Sequence, residues 1–205
     1  MKSFRIIGII ILSMIVAFFI GAFFLPTKVG VEKKIVINAP VDSVYKKVND
    51  FYFWSKWSPW YDTTRQYTIT GANNGVGAVM RWKNEKDMVG ERTIETSEYP
   101  NLIKVVTTFR AEGSSADMYF RFKETEGNKT EVTVSFSMND YPFTYPFGRY
   151  VAWFIQEGAN VSFPRALENL KKYSEKTMTG ETVTDAAETT GDTTAVVTDS
   201  TIIAE

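Results

Sequence analysis

Chemistry in this 205-residue chain must come from arginine, lysine, carboxylates and tyrosine, because the sequence contains no histidine and no cysteine. The lack of histidine removes Ser-His-Asp constellations, most catalytic zinc sites and the usual general base at neutral pH. The lack of cysteine removes thiol nucleophiles, thiolate metal sites and disulfides. Among the groups that remain, Arg92 stands out: it shares strand parity with Ile94 and so points to the apolar side. An arginine in that position either pairs with a nearby acid (Glu91, Glu95 or Glu98) or anchors the carboxylate or phosphate of a guest. Glu91 and Glu157 are the carboxylates to watch, but neither has a partner spaced as an acid/base pair. No catalytic residue is assigned, and no metal or cofactor is implied.

Strands must position that arginine. A first strand runs over 31–38 and ends at Ala39-Pro40, since proline has no ladder donor. A short helix from Val41 and an aromatic cluster, Phe51 to Tyr61, follow. That cluster is either packed core, with Trp54 and Trp57 beneath the sheet, or a cavity mouth or lipid-facing surface. From residue 67 the apolar period is two. Met80 and Trp82 alternate with Arg81 and Lys83, and Ile103, Val105 and Phe109 with Lys104 and Arg110. Phe120 and Phe122 alternate with Arg121 and Lys123, and Val134, Phe136 and Met138 with Ser135 and Ser137. One apolar and one wet face describe an antiparallel sheet covered on one side. Gly71-Ala-Asn-Asn-Gly75 and Glu126-Gly127-Asn128 are turns suited to positive φ.

The cover should be a helix over 147–173, where Phe147, Val151, Phe154, Ile155, Phe163, Ala166, Leu167 and Leu170 recur at three- and four-residue steps. Gly158 and Pro164 predict a kink or break within it. Tyr141-Pro-Phe-Thr-Tyr-Pro-Phe147 leads into it as a packed connection or a gate. A cavity between sheet and helix would be lined by Met80, Trp82, Arg92, Ile94, Phe109, Phe120, Phe122, Phe136, Met138 and Phe154, which suits an apolar ligand; the same side chains could also simply fill the space.

The chain reads as three parts. Residues 1–30 hold an uncharged run, 6–25, that opens with Ile6 and closes with Leu25. At 1.5 Å per residue it spans about 30 Å, the hydrocarbon thickness of a bilayer. A cleaved signal peptide would have an apolar region of roughly 7–15 residues ending in small side chains, whereas this run is longer and ends Phe-Phe-Leu-Pro. It is read as an uncleaved, single-pass anchor in the lipid bilayer. Lys2 and Arg5 on one side nearly balance Lys28, Lys33 and Lys34 on the other. The short N-terminal stub favours the cytoplasm and an extracytoplasmic domain. Residues 31–175 form an α+β domain, and 176–205 a threonine-rich acidic tail with too little apolar surface to order itself. The formal net charge of −1 gives no nucleic-acid footprint, and no protein partner is specified.

Six short stretches carry a family resemblance: Ile35-Val-Ile-Asn-Ala-Pro-Val-Asp-Ser-Val-Tyr45, Trp54-Ser-Lys-Trp-Ser-Pro-Trp60, Gly77-Ala-Val-Met-Arg-Trp82, Gly90-Glu-Arg-Thr-Ile94, Thr130-Glu-Val-Thr-Val134 and Leu167-Glu-Asn-Leu-Lys171. In this order and spacing, residues 31–175 resemble the polyketide cyclase/dehydrase-like group of the SRPBCC (START/Bet v 1-like) superfamily. The resemblance implies a helix-grip fold, a curved antiparallel sheet around a long C-terminal helix, with a hydrophobic small molecule or lipid held between them. Three functions stay open: a membrane-anchored binding module, a cyclase- or dehydrase-like enzyme using the same cavity, or a protein-interaction domain with a vestigial one.

Overall fold

The computed structural model describes residues 2–83, 88–109, 113–138 and 144–178. The expected tail from residue 179 onward, Arg110, and residues 141–143 of the two-proline loop lie outside the described residues.

Helix α1 (Lys2–Phe23) carries no charged residue from Ile6 onward. Strand β1 (Val29–Ile37) follows, then α2 (Val41–Asn49), a 3₁₀ turn (Phe51–Phe53) and the single-turn α3 (Trp54–Trp57). Six strands come next: β2 (Gln66–Gly71), β3 (Ala78–Lys83), β4 (Met88–Glu98), β5 (Leu102–Phe109), β6 (Ser114–Thr125) and β7 (Lys129–Met138). Helix α4 (Phe147–Met178) closes the described chain. The strands form one antiparallel sheet in the order β1-β7-β6-β5-β4-β3-β2. This is the helix-grip arrangement expected from the sequence. The β2–β3 turn needs glycine at its first corner: Gly71 has φ 79°, and a Cβ there would sit 2.2 Å from the Gly77 carbonyl oxygen.

Helix α4 is 32 residues long and continuous through Gly158 and Pro164, so the expected break does not occur. Proline removes one i→i−4 bond, but buried anchors flank it on both sides, Ala159 and Phe163 before it and Ala166, Leu167 and Leu170 after it. Tertiary packing overrides the local cost. Gln156 also ties α4 to the free edge of β1. Its Nε2 donates to the Gly30 carbonyl, and its Oε1 accepts from the Gly30 N–H, each at 3.0 Å. Farther along, Glu175 Oε1 accepts from the Asn38 N–H at 2.8 Å. These side chains occupy edge backbone groups that would otherwise invite another strand.

The core fills from α2 and α3. Trp54 and Trp57 are fully enclosed among Phe51, Phe120, Val105 and Leu170. Their indole N–H groups donate to the carbonyls of Val48 (3.0 Å) and Lys47 (3.1 Å), which satisfies acceptors left open where α2 ends. Asn169 Nδ2 on α4 donates to the Trp57 carbonyl at 3.1 Å, locking helix to turn. The aromatic cluster is therefore core at Trp54 and Trp57, while Tyr52 is exposed.

Candidate functional site

Strand register sets the depth of each inward side chain. Arg92 pairs with Thr107, and Thr107 with Ala116; one row away, Met118 pairs with Phe136. The next rows, Ile103–Phe120–Val134 and Phe122–Val132, lie toward α2. All of these face α4, but only the first two rows stop short of filling the space. They bound a half-open cavity of about 530 Å³, closed on the helix side by Ile155, Ala159, Ser162 and Phe163 and capped by the loop carrying Pro59, Trp60, Asp62 and Arg65. Its size falls within the roughly 300–1,000 Å³ of small-molecule sites.

Arg92 sits inside this cavity and is 8% exposed. The acids that sequence offered as partners are engaged elsewhere or exposed: Glu91 accepts from Arg81 at 2.9 Å, Glu95 pairs with Lys104 at 2.8 Å, and Glu98 faces solvent. Instead, the guanidinium carbon lies 4.9 Å from the ring centre of Trp82, 5.5 Å from Trp54 and 5.8 Å from Trp60. Three aromatic faces hold the cation by its charge and flat shape. Arg92 Nε and Trp82 Nε1 are both buried and have no hydrogen-bond partner among the described residues. Burial pushes the Arg92 pKa down to about 10, so the group is still a cation at neutral pH.

Gly90 makes the cage possible. It lies opposite Trp82 across the β3–β4 ladder, and a Cβ there would meet Trp82 Cζ2 at 2.6 Å and the Thr108 carbonyl oxygen at 2.7 Å. Only a bare α-carbon lets the indole lie against β4. At the mouth, Asp62 accepts from the Thr64 hydroxyl (2.7 Å) and N–H (2.9 Å) and pairs with Arg65 at 3.4 Å. These contacts hold its carboxyl below the usual range, the Thr64 side chain most of all.

The structure divides the expected lining. Trp82, Arg92, Phe109 and Phe136 meet at the cavity. Ile94, Phe120 and Phe122 face the same way but are packed solid, Phe122 against Tyr45 at 5.2 Å between ring centres. Met138 joins a separate cluster with Val29, Ala116 and Ala152. Met80 borders a second, smaller cleft of about 290 Å³ with Tyr61 and Tyr67. Phe154 is corrected outright: it is 75% exposed, because α4 turns Ile155, Ala159 and Phe163 inward and residue 154 lies around the helix from them. Sequence reasoning missed Thr107 and Met118, although they share parity with Phe109 and Phe120; Trp60, which a loop delivers to the cavity, belongs to the aromatic cluster that the sequence offered as either core or cavity mouth.

Comparison with known proteins agrees with this geometry. The Zhui aromatase/cyclase from Streptomyces sp. R1128 superposes with a TM-score of 0.54 at 14% identity, covering 74% of this chain and 96% of that one. A hypothetical protein from Helicobacter pylori gives 0.54 at 11% identity, covering 71% and 87%. A protein from Nitrosospira multiformis gives 0.51 at 18%, covering 70% and 94%. At these identities the likeness is one of fold. No curated protein matches the chain. Residues 28–175 match the family described as polyketide cyclase / dehydrase and lipid transport, and the chain belongs to that family.

Proposed function

We propose that this protein is a membrane-anchored binding module for a hydrophobic small molecule or lipid that carries an anionic head group. The single observation behind the head group is Arg92: a buried cation with no acid partner among the described residues, in the wall of a cavity whose inner part is lined by Phe109, Met118, Phe136 and Ile155. A carboxylate or phosphate would pair with the guanidinium, and the apolar body would lie against Phe109, Met118, Phe136 and Ile155.

The anchor supports the reading, since α1 is one helix long and apolar enough to cross a membrane, and a sparingly soluble guest concentrates there. The short charged stub before it favours the cytoplasm, which puts the domain on the extracytoplasmic side.

The test is photocrosslinking in liposomes containing the full chain, with a diazirine fatty acid and the matching fatty alcohol. The acid should label cavity residues, Phe109 and Met118 among them, and unlabelled acid should compete it away. The alcohol should label at least about tenfold less, as loss of one charge-assisted pair dictates. Equal labelling by both probes removes the head-group assignment. Labelling confined to α1 removes the binding function.

A further inference from the structure

Helix α4 carries a second apolar stripe, on the side away from the sheet. Phe147, Val151, Phe154 and Val161 recur at steps of three, four and seven and lie in one row with Gly158. Phe147 is 71%, Phe154 75% and Val161 69% exposed. Single exposed apolar residues are ordinary, but a row of them over about 21 Å of helix marks a contact surface. The same row changes character after Val161: its next members are Arg165, Glu168 and Lys172.

The apolar end of that row is where α1 attaches. Phe18 stacks on Tyr150 with ring centres 4.6 Å apart and touches Phe147 at 5.3 Å. Tyr150 donates to the Phe18 carbonyl (2.9 Å), Tyr145 to that of Phe19, and Arg149 Nη1 to that of Leu25 (3.1 Å). Gly21 leaves room for this, since a Cβ there would come 2.9 Å from Tyr150 Oη.

Depth follows from helix length. The apolar stretch Phe4–Phe23 has 20 residues, which matches the roughly 30 Å of bilayer hydrocarbon with nothing to spare. Phe18 therefore sits about 7 Å inside the hydrocarbon edge, and whatever packs on it shares that depth. An interfacial helix buries its apolar face about 5–10 Å.

We propose that the first half of α4 is a membrane-interface helix: the row Phe147, Val151, Phe154 and Val161 inserts into the lipid surface beside α1, and Arg165 marks where the helix leaves it. This rests on the anchored-carrier reading and extends it. Ile155, Ala159 and Ser162, which line the cavity, each follow a residue of the inserted row by one position. The cavity rim on α4 thus lies next to the lipid, and a guest can pass between the two without crossing water.

The absence of cysteine allows a direct test. Single variants Phe154→Cys and Val161→Cys of the full chain, spin-labelled and reconstituted in phosphatidylcholine/phosphatidylglycerol vesicles, report collision with oxygen (lipid) against a nickel chelate (water). Ile10→Cys marks the bilayer interior, and Lys123→Cys, exposed on β6, marks water. The oxygen-to-nickel ratio at 154 and 161 should exceed that at 123 several-fold and approach that at 10. Ratios at 154 and 161 equal to that at 123, with 10 in lipid, overturn the interface helix while leaving the anchor standing. A water-like ratio at 10 overturns the anchor itself. Short label-to-label distances at 154 between two copies, with oxygen excluded, assign the stripe to self-association instead and also overturn the proposal.

Discussion

At one end of the space between sheet and α4, Trp57, Phe120 and Leu170 pack without remainder; at the other, Trp82, Arg92, Phe109 and Phe136 surround about 530 Å³, and Trp54 stands between the two, fully buried with its ring 5.5 Å from Arg92. Both ends use tryptophan and phenylalanine on the same sheet against the same helix. They differ in what happens to the polar atoms. Trp54 and Trp57 spend their indole N–H groups on the last carbonyls of α2, which fixes the rings and completes the helix end. Trp82 Nε1 and Arg92 Nε have no such use. Buried donors that are satisfied within the fold describe structure, whereas a buried cation at a cavity wall, with no acid partner among the described residues, describes readiness for a guest.

The largest effect that would expose this contrast is loss of packing. Trp54→Ala or Trp57→Ala should cost about 3–5 kcal/mol and leave one α2 carbonyl unmet, that of Val48 or of Lys47 respectively, read by thermal or urea unfolding. Phe109→Ala, which enlarges an existing void rather than opening a new one, should cost about 1 kcal/mol or less. Equal costs at the two ends would erase the distinction. Gly90→Ala comes next. Its Cβ would collide with Trp82 and with the immovable Thr108 carbonyl, so it should destabilise by about 1–3 kcal/mol and shift Trp82 fluorescence, seen against a Trp82→Phe background.

Arg92→Met has the opposite sign. It removes a buried cation that no described acid neutralises, so the ligand-free protein should gain on the order of 1–3 kcal/mol while anionic amphiphiles bind at least about tenfold more weakly. Arg92→Lys should keep part of the affinity and lose the flat fit among the indoles. The smallest effect is with pH. The folded-state pKa of Arg92, about 10, lies below its ordinary value. Between the two, the unfolded chain binds more protons, so stability rises with pH in that window. The penalty returns as pH falls through about 10. The stability gap between the wild type and Arg92→Met should therefore narrow above pH 10 and be constant below about pH 9, and anion affinity should fade over the same alkaline range.

These contrasts also show where sequence is readable. Period-two alternation found the strands and their inward faces, and glycine-rich corners such as Gly71–Gly75 found the turns, because both follow from local backbone geometry. Parity cannot report depth. Ile94 and Arg92 differ by one step of two on β4, yet one is in solid core and the other in the cavity, a difference set by register with β5 and by where α3 intrudes. On α4 the apolar positions read as a single face; the structure divides them between the sheet side and the side next to α1, since a helix pattern dense enough for two partners does not say which residue serves which. The continuous helix through Pro164 was illegible for a related reason: the packing that holds it is distant in sequence.

The central claim is that Arg92, buried at the cavity wall with no acid partner among the described residues, takes an anionic guest. Thermal melts of wild type and Arg92→Met, each with and without a saturating long-chain fatty acid, test it most directly. The account predicts that Arg92→Met melts higher when empty and that the order reverses when the acid is present, because only the wild type gains the charge pair. The same order under both conditions would contradict it.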